Sequence, residues 1–94
     1  MILSINPEEL KNINENIIDL RNNEKYNSSH IPNSINIPAE KLLKNPQQYL
    51  NKNETYYLYC QKGISSYNMC RILIKLGYKT ININGGYERW LLTK

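Results

Sequence analysis

The segment Cys60-Gln61-Lys62-Gly63-Ile64-Ser65-Ser66 gathers a thiol, a cation, a glycine and two hydroxyls in one short run. These residue types can build a nucleophile in an anion cradle. Backbone N–H groups from Gln61 to Ser66 can point inward at the sulfur. Lys62 supplies a full positive charge, and the helix that follows adds about half a unit at its N-terminus. Such surroundings lower a thiol pKa from about 8.5 to about 3.5–7.5, and a value near 6.5 makes roughly three quarters of it thiolate at pH 7. Cys60 is therefore the candidate nucleophile, and Gln61, Lys62, Gly63, Ile64, Ser65 and Ser66 the candidate substrate-binding loop. The two serine hydroxyls can donate to the sulfur or simply cap the helix, and both readings stay open. The competing reading, an inert cysteine at a strand end, fits less well beside the glycine, lysine and serines.

The flanking sequence explains how the loop is held. Thr55-Tyr56-Tyr57-Leu58-Tyr59 is aromatic and apolar and suits a buried strand. From Ser66 to Leu76 the apolar residues return at helical spacing, with Met69, Leu73 and Leu76 on one face and Cys70 and Ile74 beside them. Gly77 is placed to end that helix. Upstream, Ile2–Ile5 reads as a strand, and Asn6-Pro7-Glu8-Glu9 as a capped start of a short helix ending near Lys11 or Asn12. Asn14 to Asn16 make a turn into a second strand, Asn16 to Arg21, whose apolar run suits burial on both faces of a parallel sheet. Asp19 and Arg21 at its end are expected to pair structurally. Asn22 to Ser29 is polar, with a helical turn around Glu24 and Tyr26.

A third strand spans Ser34 to Ile37. A helix over Ala39–Lys44 turns Leu42 and Leu43 inward, and a further turn over Pro46–Leu50 packs Tyr49 and Leu50. Thr80–Ile83 is the last strand. Asn84-Gly85-Gly86-Tyr87-Glu88-Arg89-Trp90 opens the last helix, with Tyr87 and Trp90 on one face to pack on the sheet. Strands alternate with helices, so the class is α/β, with a mostly parallel sheet and helices on both faces. In such a sheet, sites lie at the carboxyl ends of the strands, where Cys60 stands.

The 94 residues suit one domain spanning 1–94, with no repeat, linker or low-complexity segment. The net charge of +4 comes from cations scattered along the chain. It reads as a solvated surface rather than a nucleic-acid patch, and it would draw a small anion towards a cleft. The opening residues contain no secretory h-region before Pro7, and no apolar run reaches membrane length. A cytoplasmic, thiol-reducing setting and no membrane partner follow as expectations. Met1 and the complete set of elements suggest a whole protein. The spacing of Cys60 and Cys70 is neither a metal-ligand nor a redox-pair spacing, so Cys70 reads as core. No metal or cofactor is called for, and a monomer is the expected state.

The Cys60–Ser66 loop resembles the active-site loop of the rhodanese (sulfurtransferase) family, in which a cysteine opens a six-residue loop with glycine at the fourth place. The resemblance extends over nearly the whole chain. His30-Ile31-Pro32-Asn33-Ser34-Ile35-Asn36-Ile37-Pro38 is similar to that family's His-Ile-Pro-Gly-Ala-x-Asn-Ile-Pro segment, with Ser29 and Asn33 in place of glycines. Asn33 can still take the left-handed turn. Asp19-Leu20-Arg21 matches an Asp-x-Arg strand end, and Gly85-Gly86-Tyr87-Glu88-Arg89-Trp90 a terminal Gly-Gly-aromatic-x-x-Trp motif. Gly85 and Gly86 would shape the cleft wall, and Trp90 would pack in the core. The resemblance implies five strands in the order 1-5-4-2-3. It leaves His30, the single histidine, as a hydrogen-bonded structural imidazole rather than a base.

The activity implied is sulfur transfer. Cys60 takes a sulfane sulfur from a small anionic donor such as thiosulfate, becomes a persulfide, and passes the sulfur to a thiol, a protein acceptor or cyanide. Many members carry Arg beside the cysteine where this chain has Gln61, a change expected to weaken thiosulfate use. A phosphatase or arsenate reductase would need Cys-x5-Arg, and Ser66 stands at that arginine's place. A non-catalytic regulatory or sulfur-carrying module is the remaining alternative.

Overall fold

The computed structural model describes residues 2–93; Met1 and Lys94 lie outside the described residues. Its centre is a five-stranded sheet in the order β1-β5-β4-β2-β3. The strands are β1 (Leu3–Ile5), β2 (Ile17–Asp19), β3 (Ser34–Asn36), β4 (Thr55–Tyr59) and β5 (Lys79–Ile83). All the pairings are parallel, with Ile18 opposite Leu58 and Leu58 opposite Asn82 in the middle of the sheet. The expected α/β class and strand order hold.

Side chains along a strand point alternately to its two faces, and the two cores follow that period. Ile18, Tyr56 and Leu58 enter one cluster with Leu42, Met69, Cys70 and Leu73. Ile17 and Tyr59 enter the other with Leu10, Ile31, Ile83 and Tyr87, against which Trp90 is partly buried. Both faces of β2 and β4 are covered, which is why their sequences read as continuous apolar runs rather than alternating ones. The edge strands β1 and β3 are short and leave Leu3 and Ile35 exposed.

Among the described residues four α-helices surround the sheet: α1 (Asn23–Ser28), α2 (Ala39–Lys44), α3 (Ile64–Lys75) and α4 (Gly86–Leu91). Asn22 caps α1 through its side chain, which accepts from Lys25 N at 2.9 Å. The segment Pro7–Asn12 is a 3₁₀ helix rather than an α-helix. The expected back-bond is present, with Asn6 N donating to Glu9 Oε2 at 2.7 Å. Pro46–Gln48 is a second 3₁₀ turn. Helix α3 ends in a Schellman motif: Tyr78 N donates to Leu73 O and Gly77 N to Ile74 O, both at 3.0 Å.

Several inward-facing expectations are corrected. Leu43, Tyr49 and Leu76 are exposed, whereas Leu42, Leu50 and Leu73 are buried. Helices α2 and α3 each bury a narrow stripe against the sheet, and the neighbouring leucines fall outside it. The second strand is also shorter than the apolar run suggests, ending at Asp19, although Leu20 N still donates to Tyr59 O of β4 at 2.9 Å. Asn33 does take the left-handed backbone, with φ 70°.

Candidate active site

Cys60 follows β4 directly, at the carboxyl end of a central strand. The chain then turns within three residues into α3, which begins at Ile64 and not at Ser66. Gly63 makes that turn with φ 93°, a backbone conformation that favours glycine. A Cβ there would also stand 2.7 Å from Gly85 N, so the loop and the Gly85-Gly86 turn meet backbone to backbone.

The sulfur sits inside this turn. Gly63 N donates to Cys60 Sγ at 3.1 Å and Ser66 N at 3.3 Å. Ser66 Oγ lies 3.3 Å from the sulfur and donates in turn to Asn82 Oδ1 at 2.6 Å. Cys60 is 8 % exposed, whereas Ser66 is fully buried. The sulfur is therefore lined with donors in a residue that keeps only slight exposure. The twelve-residue helix α3 starts at this point and adds its positive end.

The other expected loop residues are placed differently. Lys62, Ile64 and Ser65 are exposed at the rim. Of the two serines, Ser66 is the one at the sulfur. The Gln61 side chain turns away from the thiol, accepting from Arg21 Nη1 at 3.3 Å and donating to Glu88 Oε2 at 3.2 Å.

Behind Gln61 the Asp19–Arg21 pair is buried and bidentate, with Nη2 to Oδ2 at 2.8 Å and Nε to Oδ1 at 3.1 Å. Arg21 also donates to Ser29 O at 2.7 Å and lies 4.1 Å from the centre of the Tyr87 ring. The pair is thus the expected structural one, extended to the site by its contact with Gln61. The Ser29 hydroxyl bonds the Tyr87 hydroxyl. His30 stacks on Tyr26 with ring centres 3.9 Å apart, and its Nδ1 bonds Tyr26 O at 2.8 Å, as a structural imidazole would.

Helix α4 closes the loop from the other side. Tyr87 N donates to Cys60 O at 2.9 Å and Glu88 N to Gln61 O at 3.1 Å. These bonds satisfy the loop carbonyls and α4's first amides together, which leaves Gly63 and Ser66 N–H groups for the sulfur. A Cβ on Gly86 would collide with the Cys60 carbonyl oxygen and stand 2.9 Å from the Gln61 carbonyl.

Cys70, one helical turn beyond Ser66, is fully buried. Burial pushes its thiol up to about 11, against a weaker opposing effect from its bond to Thr80. It is core, as its place on the apolar side of α3 suggested. One residue and one contact were not legible in the sequence. Asn82 was legible only as part of a strand, although a buried amide between Ile81 and Ile83 needs a partner. The link from Arg21 to Gln61 joins residues far apart in the chain and leaves no local signal.

A cleft of about 480 Å³ is lined by Pro7, Leu10, Lys11, Pro32 and Trp90 among others, and the Cys60 loop forms no part of its wall. Among the described residues no cluster of side chains could hold a metal ion, and no helix is long and apolar enough to cross a membrane.

Comparison with known proteins agrees with this geometry. The family model of the rhodanese-like domain matches residues 6–93. The thiosulfate sulfurtransferase GlpE of Coxiella burnetii (strain RSA 331 / Henzerling II) is 31% identical over 75 residues, covering 79% of this chain and 69% of that protein. The crystal structure of SSP1007 from Staphylococcus saprophyticus is 31% identical with a TM-score of 0.87, covering 95% of this chain and 93% of that one. The crystal structure of a rhodanese-like domain protein from Staphylococcus aureus is 32% identical with a TM-score of 0.85, covering 95% and 91%.

Proposed function

The chain belongs to the rhodanese-like domain family, and on that premise we propose that it is a sulfurtransferase carrying sulfane sulfur on Cys60. The Cys60 thiolate attacks the outer sulfur of a donor. With thiosulfate, the new Sγ–S bond forms as the S–S bond to the sulfonate breaks, and sulfite leaves with the electron pair. The product is a Cys60 persulfide anion. A thiolate or cyanide then attacks the outer sulfur, the Sγ–S bond breaks, and Cys60 is left as thiolate. One transfer becomes two easier ones, with ping-pong kinetics.

The observation that carries this reading is the pair of backbone N–H groups, Gly63 and Ser66, aimed at Sγ from the start of α3. Such fixed donors stabilise negative charge without reorganising during the reaction. Lys62, exposed at the rim, attracts the anionic donor. Gln61, held between Arg21 and Glu88, positions the loop and brings no charge of its own, so thiosulfate is bound weakly. The reaction needs no cofactor. A thiol that must stay reduced suits the cytoplasm, and the 94 residues act as one monomeric unit.

Intact mass after incubation with thiosulfate tests the proposal. The native chain gains one sulfur atom, cyanide removes it, and the Cys60→Ser variant gains nothing. If thiosulfate, mercaptopyruvate and a low-molecular-weight persulfide all leave the native mass unchanged, sulfur transfer is excluded.

A further inference from the structure

The hydrogen bonds beneath the Cys60 sulfur have a direction. The thiol donates to Ser66 Oγ at 3.3 Å, and the Ser66 hydroxyl donates to Asn82 Oδ1 at 2.6 Å. A hydroxyl has a single proton to give. While Cys60 keeps its own proton, the Ser66 proton is committed to β5 and not to the sulfur. Ser66 is fully buried and Asn82 is 2 % exposed, so bulk water cannot take either place.

Loss of the thiol proton changes the demand on that hydroxyl. The sulfur becomes a charged acceptor, and bonds to charged groups are roughly twice as strong as neutral ones. If Ser66 turns to the sulfur, Asn82 Oδ1 gives up its donor in a buried position, which costs free energy. Two acceptors compete for one proton, and Asn82 weighs on the side of the thiol.

We propose that Asn82 is a positioning residue that acts through Ser66, holding the serine hydroxyl away from the Cys60 sulfur and so disfavouring the thiolate relative to the thiol. Its consequence for sulfur transfer rests on the function proposed above. A thiolate with less hydrogen-bond stabilisation is the stronger nucleophile, since nucleophilicity falls as thiolate stability rises. Asn82 trades thiolate population for reactivity.

The charged and titratable groups around the loop stay in place when Asn82 is changed. Lys62 lies on the loop itself and Cys70 on α3. The Arg21–Asp19 pair stands behind Gln61, Glu88 bonds Gln61, and Arg89 packs over Gly85. None of them bonds the Ser66 hydroxyl, so a change at Asn82 reaches Cys60 through Ser66.

The test is the pH profile of Cys60 alkylation by iodoacetamide, read by peptide mass on the full chain. Asn82→Leu removes the competing acceptor, and the mid-point moves down by about half a unit, roughly a threefold larger thiolate fraction below it. Ser66→Ala removes the hydroxyl through which Asn82 acts and sets the baseline for the pair. The double variant matches Ser66→Ala alone, because Asn82 has nothing left to hold. Asn82→Asp, which grips the hydroxyl harder and adds negative charge, moves the mid-point up further with the Ser66 hydroxyl present than in the Ser66→Ala background. That difference decides the matter if Asn82→Leu does not fold. An Asn82→Leu mid-point that stays put or rises, an Asn82→Asp mid-point that falls, or an Asn82→Leu effect of equal size without the Ser66 hydroxyl would overturn the proposal. Alkylation needs no sulfur donor, so a failure of sulfur uptake leaves this result readable on its own.

Discussion

Cys60 and Cys70 show how much environment decides for one residue type. Cys60 keeps 8 % of its surface exposed among inward-facing donors, whereas Cys70 has none and sits in apolar core. A brief treatment of the folded chain with iodoacetamide at neutral pH should add one group, at Cys60, with Cys70 reacting only in denaturant; peptide mass mapping checks this. Cys70 also makes stability depend on pH. Its folded value of about 11 lies above the ordinary 9.0, so the unfolded state loses its proton first as pH rises. The stabilisation is complete below pH 9 and is lost between about 9 and 11. Two units correspond to about 2–3 kcal/mol. Urea unfolding at intervals over that range should show the native chain losing stability, and Cys70→Ala losing less by about that amount. The residue types of the loop could be read directly, but which serine meets the sulfur could not. The choice turns on α3 beginning at Ile64, so that Ser66 faces the sheet and Ser65 faces solvent.

At the scale of elements, the candidate site depends on α4 as much as on its own loop. The first amides of α4 hold the carbonyls of Cys60 and Gln61, and Gly86 lies against those carbonyls with φ 60°. Gly86→Ala adds about 1–2 kcal/mol of backbone strain and pushes the loop off α4. The expected outcome is sulfur uptake slowed by at least about tenfold, since small misplacements are costly to rate. The melting temperature falls by several degrees as well. A variant with native uptake and a native melting point would show that the contact is dispensable. The Gly85-Gly86-Tyr87 motif was visible in the sequence and was expected at the cleft wall, while the bonds by which α4 clamps the loop were not, because nothing local tells which carbonyls a helix's first amides will meet. The same limit explains Leu43, Tyr49 and Leu76: apolar type alone does not say which side of a narrow buried stripe a residue falls on.

For the whole molecule, sequence pattern carried further. Unbroken apolar runs at β2 and β4 marked central strands buried on two faces, and the alternation of strands and helices fixed a parallel sheet. What joins the parts across the sheet was not readable, and Arg21 is the clearest case. From the end of β2 it reaches Asp19, Ser29 ahead of β3, Gln61 in the loop and the Tyr87 ring on α4. Arg21→Leu leaves the Asp19 carboxylate buried without its partner, and such losses cost about 3–5 kcal/mol. Chemical denaturation should show a loss of that size. Arg21→Lys should recover only part of it, because an ammonium cannot make the bidentate pair. Full stability in Arg21→Lys would mean that charge alone matters at this position.

The pairing of β1 with β5 brings Leu3 beside Ile81, and the wall of the Cys60 loop comes from α4, which follows β5. Neither contact can form on the ribosome until β5 and α4 have emerged. Pairings between such distant segments are also slow to form. During synthesis Cys60 is therefore a thiol without its cradle, open to oxidants from which the finished fold largely buries it. A nascent chain should be most vulnerable to sulfenic acid formation in the interval between the release of Cys60 and that of Trp90.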